Sequence, residues 1–201
     1  MRFMSTGMAK RWLLAALVSL LTVGPASADK KAGVEAYDRG DFAAAFRELL
    51  PLAAAGDVES QVKIATMYQD GAGTGQDYAE ALHWFKEAAE RGSATAARGV
   101  GEIYRDGLGV PQDYVQAMRW YMAAAEKGNV TAQYNIGMLY LDGLGVDRNE
   151  REAVVWISRA AELDNKTAQL QMGKLYRDGR GVPQDMKRAI GWFRRAAVGG
   201  N

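Results

Sequence analysis

The decapeptide YRDGLGVPQD, residues 104–113, occurs in near copies along the chain. The copies are YQDGAGTGQD at residues 68–77, YLDGLGVDRN at residues 140–149 and YRDGRGVPQD at residues 176–185, each beginning 36 residues after the previous one. Two closely spaced glycines suit a tight connection between helices, because glycine reaches left-handed backbone angles without a Cβ penalty. A phosphate-binding loop would end in GKT or GKS, and no copy does. The decapeptide is therefore predicted to connect two helices.

The same 36-residue period governs the sequence between the decapeptides. The recurring aromatic residues are Trp84, Trp120, Trp156 and Trp192. Pairs of adjacent alanines recur at residues 88–89, 124–125, 160–161 and 196–197. A fixed period of this length is typical of repeat proteins, in which each unit is one supersecondary element that stacks on the next.

Each unit is predicted to contain two helices. The predicted N-caps are Asp57, Ser93, Asn129 and Asn165 for the first helices, and Asp41, Asp77, Asp113, Asn149 and Asp185 for the second. Such short polar side chains accept from backbone N–H groups that a helix start leaves unpaired. The last copy has Arg188 where other capping boxes have Glu or Gln, so its helix start is predicted to be the weakest. Gly101, Gly137 and Gly173 lie inside first helices and predict a close helix crossing.

The unit boundaries follow from this register. Residues 29–56 form a shortened first unit that lacks the glycine connector. Full units cover residues 57–92, 93–128, 129–164 and 165–201. The sequence therefore predicts an all-α solenoid of about ten antiparallel helices, arranged as five hairpins.

The first 28 residues have the pattern of a signal peptide. Arg2, Lys10 and Arg11 precede an apolar run over residues 12–23, and Ala-Ser-Ala at residues 26–28 is a small-x-small cleavage pattern. We expect cleavage after Ala28 and a periplasmic or secreted protein; an uncleaved anchor is the alternative. The run is shorter than the roughly 20 residues of a membrane span, and no later run is long enough for one.

The composition of residues 29–201 excludes several classes of function. They contain 22 Lys and Arg and 24 Asp and Glu, a net charge of −2, which gives no reason to expect a nucleic-acid partner. The chain has no cysteine and one histidine, His83, which argues against disulfides and a zinc site. Nothing in the sequence predicts a cofactor.

The repeat has a recognisable pattern. An apolar residue and Gly precede Tyr-x-x-Gly-x-Gly-Val, and Asp-x-x-x-Ala-x-x-Trp-x-x-x-Ala-Ala follows. This resembles the Sel-one-like repeat (SLR), a branch of the tetratricopeptide superfamily, from about residue 57 to residue 201. Departures include Thr74 for Val and Asp164 for the closing Gly. The resemblance implies a right-handed α-solenoid and an adaptor that holds a protein or peptide, in the manner of exported bacterial members.

Two possible catalytic features have simpler structural interpretations. Ser60 and Lys63 match the Ser-x-x-Lys pattern of penicillin-recognising enzymes, but Ser60 occupies a position that is alanine in the other units. We therefore interpret Ser60 as a small packing residue. The position of His83 holds Arg, Val and Gly in the other copies, which predicts an exposed residue without a catalytic role.

Positions of the first helices that differ between copies are candidates for partner contact, because the related tetratricopeptide fold lines its concave groove with first helices. These candidates are Arg98, Glu102 and Arg105 in the third unit, Tyr134, Met138 and Leu141 in the fourth, and Leu170, Lys174 and Arg177 in the fifth. One interpretation is local packing of the fourth-unit residues. The other is an apolar pocket between cationic flanks, which suits an amphipathic or acidic-hydrophobic peptide.

The sequence therefore predicts an exported, non-enzymatic adaptor that holds a protein or peptide in its groove. An enzyme acting on β-lactams or the cell wall and a structural subunit of an envelope complex are the alternatives. A second contact surface is expected at the last helix, where Ile190, Trp192, Phe193 and Ala197 form a face without a further polar capping helix. This face is predicted to self-associate or to dock a partner.

Overall fold

The computed structural model describes residues 28–198. The described residues form ten α-helices and no strand. In chain order they are α1 (Lys30–Asp38), α2 (Phe42–Ala54), α3 (Val58–Asp70), α4 (Tyr78–Glu90), α5 (Ala94–Asp106), α6 (Tyr114–Glu126), α7 (Val130–Asp142), α8 (Glu150–Glu162), α9 (Lys166–Asp178) and α10 (Met186–Ala197). The predicted leader, except for Ala28, and residues 199–201 lie outside the described range.

The helices stack in sequence order. Each helix packs against the helix before it and the helix after it, so hairpins follow one another along the chain. The buried residues of the second helices include alanines, such as Ala81, Ala117 and Ala153, together with large residues, such as Tyr121 and Ile157. Small residues allow the helix axes to approach closely, and the large residues fill the space between the helices. The predicted all-α repeat solenoid is confirmed.

The predicted N-caps start the helices. Asp57, Ser93, Asn129 and Asn165 each accept from the backbone N–H three residues on. The last second helix is capped in the same way, because the Asp185 carboxylate accepts from the Arg188 backbone N–H at 2.9 Å. The Arg188 side chain turns to the Tyr176 hydroxyl at 3.2 Å instead of closing a capping box.

The two glycines of the decapeptide have different structural roles. Gly107 ends α5 as a left-handed C-cap at φ 67°, and its N–H donates to the Ile103 carbonyl. Gly109 also has a positive φ, and a Cβ there would lie 2.7 Å from the Cβ of Tyr78, at the start of α4 in the preceding unit. Gly109 therefore permits both the turn and the close contact of this connector with the start of α4.

The glycines inside first helices mark close crossings with the second helix of the same unit. A Cβ at Gly101 would lie 2.6 Å from the Tyr121 ring, and one at Gly137 would collide with Ile157 and lie 3.1 Å from the Ala153 carbonyl oxygen. The predicted reason for these glycines is confirmed. Asp164, at the position where other units have glycine, keeps the left-handed backbone at φ 62°, which is unfavourable for a residue with a Cβ.

Candidate partner-binding face

The candidate residues lie on three consecutive first helices. Helix α5 carries Arg98, Glu102 and Arg105; α7 carries Tyr134, Met138 and Leu141; α9 carries Leu170, Lys174 and Arg177. We call the exposed and half-buried members of this set, all except Leu141, the first-helix face. Spacings of three and four residues place the members of each helix on one side of it.

The centre of the first-helix face is apolar. Tyr134 and Met138 on α7 are half-buried and pack against the core residues of the fourth and fifth units. Burial raises the pKa of the Tyr134 phenol above its ordinary value, and the nearby Asp142 carboxylate adds to this. The phenol is therefore neutral at physiological pH, and the two side chains present partly exposed apolar surface.

Leu141 belongs to the core instead. Its side chain is 1% exposed and lies among buried residues that include Ala153 and Ile157. A leucine at this position gains free energy from burial, whereas its sister residues Arg105 and Arg177 keep their guanidinium groups near the surface. The assignment of Leu141 as a partner contact is therefore corrected to a packing residue.

The flank formed by α5 has its charges paired. Arg98 forms an ion pair with Glu102 one turn later, with side chains 29% and 22% exposed. Arg105 donates two hydrogen bonds of 2.7 Å to the Asp106 carboxylate, and this contact raises the pKa of its guanidinium. A planar bidentate pair of this kind is geometrically specific. The α5 flank is therefore close to neutral, although its sequence suggested a cationic edge.

The flank formed by α9 keeps a positive surplus. Arg177 pairs with Asp178 through contacts of 2.7 and 3.0 Å, and this guanidinium lowers the pKa of the Asp178 carboxyl. Lys174 is exposed one turn earlier, and Leu170 beside it is 43% exposed. The first-helix face therefore runs from a paired ionic edge on α5, across apolar side chains on α7, to a mixed apolar and cationic edge on α9.

Ser60 and Lys63 do not form a nucleophile and base. Ser60 is fully buried, and its hydroxyl donates to Asp57 at 2.7 Å. The Lys63 ammonium lies 4.2 Å from the centre of the Tyr37 ring and 3.8 Å from an Asp38 oxygen. Ser60 is thus a buried packing residue at the start of α3, as predicted, and its hydroxyl also binds the N-cap residue Asp57. His83 is exposed, also as predicted.

Buried glutamines join consecutive units, and sequence reasoning missed them. The Gln61 side-chain amide donates to the Ala53 carbonyl at 3.1 Å, and Gln169 donates to the Ala161 carbonyl at 3.0 Å. Both glutamines are almost completely buried. The accepting carbonyls lie in the last turn of the preceding second helix, where intrahelical donors are missing. The available signal was the recurrence of Gln at residues 61, 133 and 169.

Tyr121 differs from the corresponding residues Phe85, Ile157 and Phe193. Its ring is fully buried against α5, and its hydroxyl has no hydrogen-bond partner among the described residues. Burial raises the pKa of this phenol well above its ordinary value. The equivalent residues of the other full units are apolar, so Tyr121 serves packing. Its hydroxyl does not indicate a catalytic or binding site.

Two features that would bear on function are absent from the described part of the chain. Within residues 28–198, no helix combines the length and apolar character that a bilayer crossing requires. The same residues contain no group of three or more His, Cys, Asp or Glu side chains arranged to hold a metal ion.

Helical hairpins of fixed length that stack in order define an α-solenoid of the repeat class. The Sel1 repeat model matches four consecutive segments, residues 58–93, 94–129, 130–165 and 166–201. The chain therefore belongs to the Sel1 repeat family, whose members generally mediate protein–protein interactions.

Two solved structures are similar to the chain. One is c5321, a protective antigen present in uropathogenic Escherichia coli strains that displays an SLR fold; it is 39% identical over 78% of this chain, with a TM-score of 0.74. The chain spans only 33% of the length of that protein. The other is a Sel1 repeat protein from Oxalobacter formigenes, 31% identical, covering 86% of this chain and 71% of its own, with a TM-score of 0.81. No curated protein gave a significant match.

Proposed function

We propose that the first-helix face binds a segment of a partner protein, and that the protein is an exported adaptor. The observation that carries the proposal is the apolar centre formed by Tyr134 and Met138, next to the cationic surplus of Lys174 and Arg177. Corresponding positions in the third unit hold Arg98 and Glu102, which neutralise each other. The fourth unit is thus the part of this face best suited to an apolar ligand.

The charge of the two flanks indicates the chemistry of the bound segment. Because the α5 flank is paired internally and the α9 flank is not fully paired, an acidic group gains more from contact with α9. The expected segment is amphipathic, with apolar side chains over α7 and a carboxylate towards Lys174. Such an attraction weakens as salt is added, because exposed charges are screened.

A peptide-selection experiment tests this function. The immobilised protein is used to select peptides from a random library, and the enriched peptides are compared with the starting pool. We expect enrichment of peptides that combine apolar and acidic residues. Enrichment of basic peptides, or no enrichment at all, would contradict the proposed face.

A double substitution locates the binding to the fourth unit. Tyr134→Ala with Met138→Ser is expected to weaken binding of the selected peptides by about 2 kcal/mol, the scale of a small hot spot. Val115→Ala with Met122→Ser is the matched control, since it removes similar apolar surface from the second helix α6. Helicity and thermal unfolding of both variants separate loss of binding from loss of folding. Equal effects of the two variants on binding would refute the location.

Export is supported by the start of the fold. Asp29 caps α1 by accepting from the backbone N–H groups of Lys31 and Ala32 at 2.9 and 3.2 Å. Cleavage after Ala28 would leave this cap and the ten helices of residues 28–198 intact. N-terminal sequencing of protein recovered outside the cytoplasm is expected to begin at Asp29. Recovery of only the full-length chain from the cytoplasm would rule out export.

A further inference from the structure

The second helices of the third, fourth and fifth units share an exposed side. Residues 115, 119, 122, 123 and 126 lie on one side of α6, opposite the Tyr121 ring, which packs against Gly101 of α5. All of them are exposed or half-buried. The residues 36 and 72 positions later occupy the same places at α8 and α10 and are also exposed or half-buried. We call these residues of the three helices the outer face.

The outer face carries a surplus of positive charge. It contains six basic residues and two acidic ones. The basic residues are Arg119, Arg151, Arg159, Lys187, Arg194 and Arg195. The acidic residues are Glu126 and Glu162, in the last turns of α6 and α8. At the corresponding places α4 has one lysine and two glutamates, so the surplus begins with α6.

Most of these positive charges are not neutralised within the protein. All six basic side chains are exposed. Within residues 28–198 only one of the six forms an ion pair, since Arg195 lies 3.7 Å from the Asp164 carboxylate. Of the two acids, Glu162 accepts a hydrogen bond from the Ser158 hydroxyl at 3.2 Å. The outer face therefore attracts an anionic surface.

Apolar and aromatic side chains lie among the charges. Val115 is 48% exposed and Val155 is 41% exposed. The Arg159 guanidinium lies 4.8 Å from the centre of the half-buried Trp156 ring, and an arginine is placed in the same way over Trp192. Tryptophan and basic side chains beside exposed apolar residues are typical of proteins that lie at a membrane–water interface.

We propose that the outer face binds the surface of a bilayer that contains anionic lipid. The headgroup region of a bilayer accepts basic and short apolar side chains at scattered positions, without a matching shape. A folded acidic protein would require a complementary shape, whereas Val115 and Val155 project outward and Gly191 has open space around it. Because α5 packs on the opposite side of α6, the first-helix face remains accessible when the outer face is bound.

The test is flotation of the protein with lipid vesicles. Vesicles of phosphatidylcholine alone are compared with vesicles that also contain phosphatidylglycerol, at low and high salt. We expect binding to the anionic vesicles only, and weaker binding in high salt because exposed charges are screened. The full chain and the chain that begins at Asp29 are both measured, so that binding through the leader is recognised.

Two charge-reversed variants of the fifth unit locate the contact. Lys187→Glu with Arg194→Glu alters the outer face and is expected to lower the partition coefficient at least about tenfold. Lys174→Glu with Arg177→Glu is the matched control, because it makes the same change of net charge on α9, in the first-helix face. The control is expected to lower the partition coefficient less than about threefold. Circular dichroism monitors the folding of every variant.

A third variant tests the apolar contribution. Val115→Ser with Val155→Ser is expected to lower the partition coefficient at least about threefold. Four results would overturn the proposal: no binding to anionic vesicles, binding by the full chain only, equal losses in the two charge-reversed variants, or no loss in the valine variant. Binding of polyglutamate by a chain that does not bind vesicles would assign the outer face to an acidic protein, which also overturns it.

Discussion

The fourth and fifth units have the same helical framework but opposite surfaces. Helices α7 and α9 both contain 13 residues, and each ends at a left-handed glycine, Gly143 or Gly179. The fourth unit, residues 129–164, has six acidic and three basic residues, whereas residues 165–201 have two and eight. In α8 four residues are buried, but in α10 only Ala189 is. Residues at variable positions thus set the surface charge, whereas burial differs even at shared positions, since Ala160 and Ala161 are buried and Ala196 and Ala197 are not.

The strongest test of this contrast uses the same substitution in both units. Gly137→Ala is expected to destabilise the fold by about 3 kcal/mol, because the new Cβ would meet Ile157 and the Ala153 carbonyl. Gly191→Ala in α10 has open space around it and is expected to stabilise by about 0.5–1 kcal/mol, as alanine favours a helix over glycine. Urea unfolding measures both. If both substitutions changed the free energy of unfolding in the same direction, the two units would not differ in packing.

The junction between the two units depends on a buried hydrogen bond. Gln169→Leu would remove the side-chain hydrogen bonds to the Ala161 carbonyl and the Asp164 carboxylate, and we expect a loss of about 2 kcal/mol, although the Asp164 backbone N–H still donates to that carbonyl. Gln171→Leu, at a half-buried position on the same helix, is the control and is expected to change stability much less. The prediction would be contradicted if urea unfolding showed that both substitutions lower the free energy of unfolding by a similar amount.

A smaller effect is expected in the third unit, where a buried hydroxyl lacks a partner. Tyr121→Phe is expected to stabilise the protein by about 1 kcal/mol, because it removes an unsatisfied polar group without changing the packing. Tyr104→Phe serves as control, since the Tyr104 hydroxyl interacts with the Lys86 ammonium at 3.0 Å. Thermal unfolding should show a gain for the first variant only. A loss at Tyr121 would show that its hydroxyl makes a stabilising contact.

The smallest effect concerns an ion cluster between the connectors of the fourth and fifth units. Arg148 and Arg180 contact the Glu150 carboxylate at 2.6 and 2.9 Å and lower its pKa. Since the folded pKa is depressed, the stabilisation is present above the unfolded pKa of about 4.3 and is lost as pH falls below it. Glu150→Gln is expected to destabilise by about 0.3 kcal/mol at pH 7, as exposed ion pairs do.

The pH series supplies the control for that ion cluster. The difference between the parent and Glu150→Gln is expected to shrink as pH falls below the unfolded pKa of about 4.3 and to vanish once the folded carboxylate is protonated. A difference that stayed constant from neutral to acidic pH would mean that the substitution acts through packing or helix propensity and not through charge.

The sequence predicted the features that recur with the 36-residue period. The decapeptide, the N-caps and the glycines of first helices each imply one local geometry, so the solenoid followed from them. Features carried by single side chains were harder to predict. Leu141 lies in the position of Arg105 but is buried, and the pairing of Arg105 with Asp106 neutralises a flank that the sequence alone presents as cationic. Burial and ion pairing depend on three-dimensional neighbours, which a repeat comparison does not specify.

The central claim is that Tyr134 and Met138 serve binding more than folding. It is tested most directly by giving the fourth unit the residues of the third, with Tyr134→Arg and Met138→Glu together, which recreates the i,i+4 ion pair of Arg98 and Glu102 on α7. We expect the free energy of unfolding to stay within about 1 kcal/mol of the parent, while affinity for selected acidic-apolar peptides falls at least about tenfold. Unchanged affinity, or unfolding without a separable binding loss, would contradict the claim.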